Sequence, residues 1–161
     1  MMQGVGFVLL AGGQSRRMGG GDKNQLALGG KTLMQHVLDR VERAGAPTAI
    51  NANGDPARYA GYGLPVIGDV IEGYAGPLAG ILTGLEWLAA QHPHITHMVS
   101  LATDAPFLPV NLAPRLFQRL GPDASIGQAQ ANGQRHPVFA IWPVALAADL
   151  RRAVCDEGVR K

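Results

Sequence analysis

An unbroken apolar run, Val5-Gly6-Phe7-Val8-Leu9-Leu10-Ala11, gives way at once to a polar, glycine-rich stretch that reaches to about Gln25. A run with no polar alternation is the pattern of a strand covered on both faces, which is typical of parallel sheets flanked by helices. A loop that leaves such a strand at its C-terminal end lies where α/β domains hold their ligands. The same run is far shorter than the roughly 20 residues that span a bilayer, and no basic residue precedes it. It is therefore expected to be a buried strand, not an anchor or a leader.

The rest of the chain alternates short strand patterns with helical ones. Leu33, Met34, Val37, Leu38, Val41 and Ala44 recur on one helical face, and Gly45-Ala46-Pro47 breaks the pattern. Thr48–Asn51 and Leu64–Ile67 read as strands, the second placed at an edge by Pro65. Leu78, Ile81, Leu82, Leu85 and Leu88 form the stripe of a second helix, with Gly76-Pro77 at its start. Met98–Ala102 is another buried strand that stops at Thr103-Asp104-Ala105-Pro106. Leu112–Leu120 reads as a helix, Ser125–Ala129 and Pro137–Trp142 as strands joined by the Asn132-Gly133 turn, and Val144–Val154 as a final helix.

The predicted order β-α-β-β-α-β-α-β-β-α implies a single α/β domain built on a mainly parallel twisted sheet with helices on both faces. At 161 residues the chain suits one domain and can bury roughly 70% of its unfolded surface. The apolar share of 47% against 16% charged residues argues against disorder. The single cysteine, Cys155, excludes an intrachain disulfide and a cysteine-based zinc cage, which points to a reducing, cytoplasmic compartment.

A net charge of +2 carries no nucleic-acid reading, but its distribution is informative. Residues 1–45 hold Arg16, Arg17, Lys23, Lys31, Arg40 and Arg43 against Asp22, Asp39 and Glu42. In residues 46–110 only Arg58 faces Asp55, Asp69, Glu72, Glu86 and Asp104. Basic side chains followed by acidic ones suit a phosphate ligand accompanied by a divalent cation, although solvated helix faces account for most of these charges equally well.

In Leu10-Ala11-Gly12-Gly13-Gln14-Ser15-Arg16-Arg17-Met18-Gly19-Gly20-Gly21-Asp22-Lys23 the glycines let backbone N–H groups approach a ligand closely. Ser15 can donate a hydrogen bond, and Arg17 and Lys23 can neutralise phosphate charge. The stretch fits neither the G-x-G-x-x-G dinucleotide fingerprint nor a Walker A loop. Gly30-Lys31-Thr32 imitates the end of a Walker A motif, but its first glycine would fall on Gln25, so Lys31 is expected to be a surface residue.

This loop resembles the signature of the molybdenum cofactor guanylyltransferases of the MobA type. Three further segments are similar in the same order: Ile50-Asn51-Ala52-Asn53, then Asp69 leading to Gly76-Pro77-Leu78-Ala79-Gly80, then Thr103-Asp104-Ala105-Pro106-Phe107. Arg135-His136-Pro137 is also similar. The resemblance implies a Rossmann-like nucleotidyltransferase fold that transfers GMP from GTP to the terminal phosphate of molybdopterin, with loss of pyrophosphate. It implies Arg17, Lys23 and Asp104 as catalytic residues and Asp104 as the Mg²⁺ ligand. Leu10, Ala11, Gly12, Gly13, Ser15, Lys23, Asn51, Asp69 and Asp104 are the implied nucleotide-binding positions.

An Asp carboxylate can accept paired hydrogen bonds from guanine, a role open to Asp69 but also to Asn51 or to main-chain carbonyls. The implied partners are a molybdenum-insertion protein and an apo-molybdoenzyme or its chaperone, with no nucleic acid and no membrane. The family continues past the segment similar to Gly158–Lys161, so residues 1–161 are expected to form one nucleotidyltransferase domain without the family's C-terminal portion. A relative using CTP or a sugar phosphate, and a non-catalytic GTP-binding or cofactor-handoff module, are the alternatives. His136 could meet the acceptor or be structural. His92, His94 and His97 read as surface histidines, and Trp87 and Trp142 as core or partly covered residues.

Overall fold

A computed structural model of the chain describes residues 4–11, 27–41, 45–71, 76–103, 108–120, 126–131 and 133–156. The central sheet runs in the order β5-β4-β1-β6-β8-β7. Its strands are β1 (Val5–Leu10), β4 (Thr48–Asn51), β5 (Val66–Ile67), β6 (His97–Ala102), β7 (Gly127–Ala131) and β8 (Gln134–Pro143). β1 lies parallel to both β4 and β6, and β4 parallel to β5, whereas β8 is antiparallel to β6 and to β7. The expected mainly parallel sheet is present, and the edge position that Pro65 implied belongs to β5.

Helices α1 (Leu33–Arg40) and α3 (Leu112–Gln118) cover one face, and α2 (Pro77–Gln91) and α4 (Ala147–Cys155) cover the other. β1 serves both layers: Val5, Phe7 and Leu9 pack with Met34, Val37 and Leu116, while Val8 packs with Ile81, Leu85 and Leu88. Burial of each such large side chain is worth about 1.5–3 kcal/mol. Gly84 lets α2 lie directly on the sheet, because a Cβ there would meet Met98 Sδ at 2.7 Å and Val8 Cβ at 3.0 Å.

Several elements depart from the sequence reading. A small hairpin, β2 (Ala27–Leu28) and β3 (Lys31–Thr32), precedes α1 and turns on Gly29 and Gly30, whose φ values of 62° and 86° suit a two-residue loop of the I′ kind. α1 ends at Arg40 and Val41 is already extended, so the apolar stripe outruns the helix; Val41 packs against the core from that conformation. Pro56–Tyr62 form a 3-10 helix that the periodicity did not reveal; Asp55 caps it by accepting from Ala57 N–H at 2.9 Å. Only Ala147–Cys155 of the last helical pattern is α-helical, with Val144–Leu146 as a 3-10 turn before it.

The β7–β8 hairpin is longer than expected and irregular. Gln128 pairs with Ala140 and Ala129 with His136, so residues 137–139 bulge from the ladder. Pro137 lies in that bulge, a tolerated place for a residue with no N–H to pair. Ser100, fully buried on β6, donates to Val138 O at 2.9 Å and accepts from Trp142 Nε1–H at 3.0 Å. Ser100→Ala should therefore lower unfolding free energy by about 1–3 kcal/mol, because both groups lose a partner in a half-buried setting. Urea denaturation measures this, and an unchanged midpoint would refute it.

Candidate functional site

The chain passes from β1 to β4 and β5 on one side and then returns through α2 to β6 on the other. That reversal puts the topological switch point at the C-terminal ends of β1 and β6, the usual ligand position in such sheets. Thr103, just past β6, closes the strand ends by donating from Oγ1 to Leu10 O at 3.1 Å. Ala11 N–H donates to Asn51 O at 2.8 Å, so Leu10 and Ala11 are held against the end of β4.

Asn51 is the last residue of β4 and only 3% exposed. Its Nδ2 donates to Ile67 O at 3.2 Å and to Asp69 Oδ1 at 2.9 Å. The second oxygen of Asp69 accepts from Asn53 Nδ2 at 2.9 Å, and Asp69 N–H donates to Asn53 Oδ1 at 2.8 Å. Asn53 is fixed from behind, since Arg58 Nη2 donates to its carbonyl at 2.8 Å. One carboxylate is thus held at both oxygens by two asparagines from the end of a neighbouring strand.

α2 braces this cluster. A Cβ on Gly80 would lie 2.3 Å from Asn51 Oδ1 and 2.8 Å from Leu10 Cδ2, so only glycine lets the first turn of α2 approach. Thr83 Oγ1 accepts from Val70 N–H at 3.0 Å and donates to Ala79 O at 2.6 Å, which ties the residue after Asp69 to the helix.

Of the residues singled out in the sequence, Leu10, Ala11, Asn51 and Asp69 converge at these strand ends. Gly12, Gly13, Ser15, Arg17, Lys23 and Asp104 lie outside the described residues. Sequence reasoning quoted Asn53, Gly80 and Thr103 only within motifs and overlooked Thr83. The available signal was spacing: Asn51 and Asn53 are two apart and so face the same side of an extended segment.

Lys31 is exposed and pairs with Asp39 at 2.7 Å, as its surface reading required. The Lys31 ammonium, then the Gln35 amide, hold the Asp39 carboxyl below its ordinary pKa. His94 is exposed and His92 stacks edge-on against Trp87 with ring centroids 5.0 Å apart. His97 is half-buried, contrary to its surface reading, with its ring 5.5 Å from that of Phe117; burial lowers its pKa. Among the described residues no group of three or more His, Cys, Asp or Glu could hold a metal ion. No described helix is long and apolar enough to cross a membrane. His136 is half-buried beside Phe139, on a hairpin that reaches the same end of the sheet as Asp69.

The doubly wound, mainly parallel sheet is the fold of the Rossmann-like nucleotidyltransferases, and the polar cluster sits at the C-terminal ends of its strands β4 and β5. It superposes on a CMP:2-keto-3-deoxy-manno-octonic acid synthetase complexed with CTP, with TM-score 0.67 at 15% identity, covering 97% of this chain and 84% of that one. It also superposes on molybdopterin-guanine dinucleotide biosynthesis protein A from Archaeoglobus fulgidus, with TM-score 0.70 at 25% identity, covering 96% and 75%.

The chain belongs to the MobA-like NTP transferase domain family, which matches residues 7–161. It is 50% identical over 155 residues to a molybdenum cofactor guanylyltransferase of Rhodopseudomonas palustris, covering 96% of this chain and 74% of the relative. A relative with the same name from Mesorhizobium japonicum is 46% identical over 162 residues, covering 100% and 77%.

Proposed function

We propose that this protein is a guanylyltransferase that transfers GMP from GTP to the terminal phosphate of molybdopterin, forming molybdopterin guanine dinucleotide. The observation that carries the reading is the Asp69 carboxylate, held by Asn51 and Asn53 at the C-terminal ends of β4 and β5 in a chain whose relatives bear that name. A phosphate oxygen of the acceptor attacks the α-phosphorus of GTP. The bond from that phosphorus to the bridging α–β oxygen breaks, and pyrophosphate leaves with the electron pair. Such transfers need little covalent work from the protein, so positioning and charge neutralisation set the rate.

Leu10 and Ala11, held by Thr103 and Asn51, present backbone to the nucleotide, and Gly12 and Gly13, next in the sequence, would add N–H groups to it. Asp69 accepts hydrogen bonds from the guanine edge. Ser15, Arg17 and Lys23 gather the triphosphate, and the two cations stabilise the departing pyrophosphate. Mg²⁺ takes one or two carboxylates and fills its shell with phosphate oxygens and water. Asp104, directly after Thr103 in the sequence, would hold it, and the ion would supply charge neutralisation at the phosphates. The setting is cytoplasmic, with a molybdenum-insertion protein supplying the acceptor and an apo-molybdoenzyme or its chaperone receiving the labile product.

Calorimetric titration with GTP, CTP and ATP, each with and without Mg²⁺, tests this reading. Selective binding of GTP is expected, weakened at least about tenfold by Lys23→Ala, the loss of one charge-assisted phosphate contact. Equal affinity for the three nucleotides, or none for GTP, would overturn it.

A further inference from the structure

A carboxylate reads guanine only when its two oxygens lie in the plane of the base, because the N1–H and the 2-amino group point the same way from one edge. Asp69 is only part-buried, and a carboxylate on a loop after an edge strand would ordinarily rotate. Asn53 prevents this through two bonds, one to the backbone N–H of Asp69 at 2.8 Å and one to Oδ2 at 2.9 Å. Asn51 takes the other oxygen at 2.9 Å. Each carboxylate oxygen offers about two lone-pair positions. With one on each oxygen used by an asparagine, one on each is left for a ligand.

We propose that Asn53 is a specificity-determining positioning residue, which sets the plane of the Asp69 carboxylate so that its two remaining acceptor positions match the paired donors of guanine. The inference deepens the reading of Asp69 as the base-reading residue and rests on it. Asn53 touches Asp69 and acts through it. Its exposure, and the bond from Arg58 to its carbonyl, show that packing is not what keeps it in place. Adenine opposes an acceptor at N1 to this arrangement, and hypoxanthine keeps the N1–H but lacks the 2-amino donor. A fixed carboxylate therefore separates GTP from ITP, whereas a rotating one separates them poorly.

The test is the ratio of dissociation constants for ITP and GTP, measured by calorimetry with Mg²⁺ at pH 8 on the full chain. Asn53→Ala removes both bonds to Asp69. Asn53→Asp keeps an acceptor for the Asp69 N–H but sets an oxygen against Oδ2, so it isolates the bond to the carboxylate. Both variants are expected to lower the preference for GTP at least fivefold, with melting temperatures close to that of the parent chain. A role confined to loop structure would weaken both nucleotides by the same factor, and that unchanged ratio would overturn the proposal. Asp69→Ala separates the two ideas. Loss of the preference there, with the Asn53 variants unaffected, rejects Asn53 alone; retention of the preference there rejects the base-reading role and the proposal together.

Discussion

Replacing Gly80 with alanine is expected to weaken GTP binding at least about tenfold and to destabilise the fold by about 1–3 kcal/mol, the usual cost of overpacking a filled interior. In an exposed helix the same change would gain about 1 kcal/mol, since alanine is the better helix former. Here the added methyl would sit 2.3 Å from Asn51 Oδ1 and 2.8 Å from Leu10 Cδ2. Asn51 cannot yield cheaply: it is almost fully buried, and its amide nitrogen is committed to Ile67 O and Asp69. Displacing Asn51 breaks the bond that holds Asp69 Oδ1. Gly84→Ala is the matched control. It presses on Met98 and Val8, so it should cost comparable stability and leave GTP affinity within about twofold. Urea denaturation with calorimetry distinguishes the two; parent-like affinity in the Gly80 variant would refute the account.

Asp104→Ala should abolish Mg²⁺-dependent transfer, with a loss of at least about a hundredfold, as when a preorganised stabiliser of developing charge is removed. Asp104 follows Thr103, whose hydroxyl fastens the end of β6 to Leu10 O at 3.1 Å. Two measurements define the outcome: pyrophosphate release with molybdopterin as acceptor, and GTP affinity with and without Mg²⁺. The variant should bind GTP about as well as the parent does without Mg²⁺, and adding the ion should no longer tighten it. Turnover at the parent rate would remove Asp104 from the metal site.

The main elements were legible because their signals are local. The Val5–Ala11 run marks β1, the Leu78 to Leu88 stripe marks α2, and Met98–Ala102 falls within β6. Elements stabilised by a few capping bonds were not. The β2–β3 hairpin has two residues per strand, too few for alternation to show, and its only cue was Gly29-Gly30. The 3-10 helix at Pro56–Tyr62 announces itself only through Asp55-Pro56, a cap followed by a proline. Val41 belongs to the apolar stripe of α1 yet leaves the helix, because an extended residue can also reach the core.

Taken alone, the sequence determined an α/β domain, a parallel centre to its sheet and a ligand-bearing end, since each follows from the order and spacing of apolar residues. Its resemblance to the MobA-type family implied Leu10, Ala11, Asn51 and Asp69 as nucleotide-binding positions. Only the tertiary structure decided how they act together. Asn51 and Asp69 are 18 residues apart and meet because β4 and β5 pair in register, Asn51 beside Ile67. The same pairing brings Asn53 onto Asp69, and the close packing of α2 through Gly80 keeps Asn51 from moving away. Hydrogen bonds of this kind depend on distances between segments remote in sequence, which no local pattern encodes.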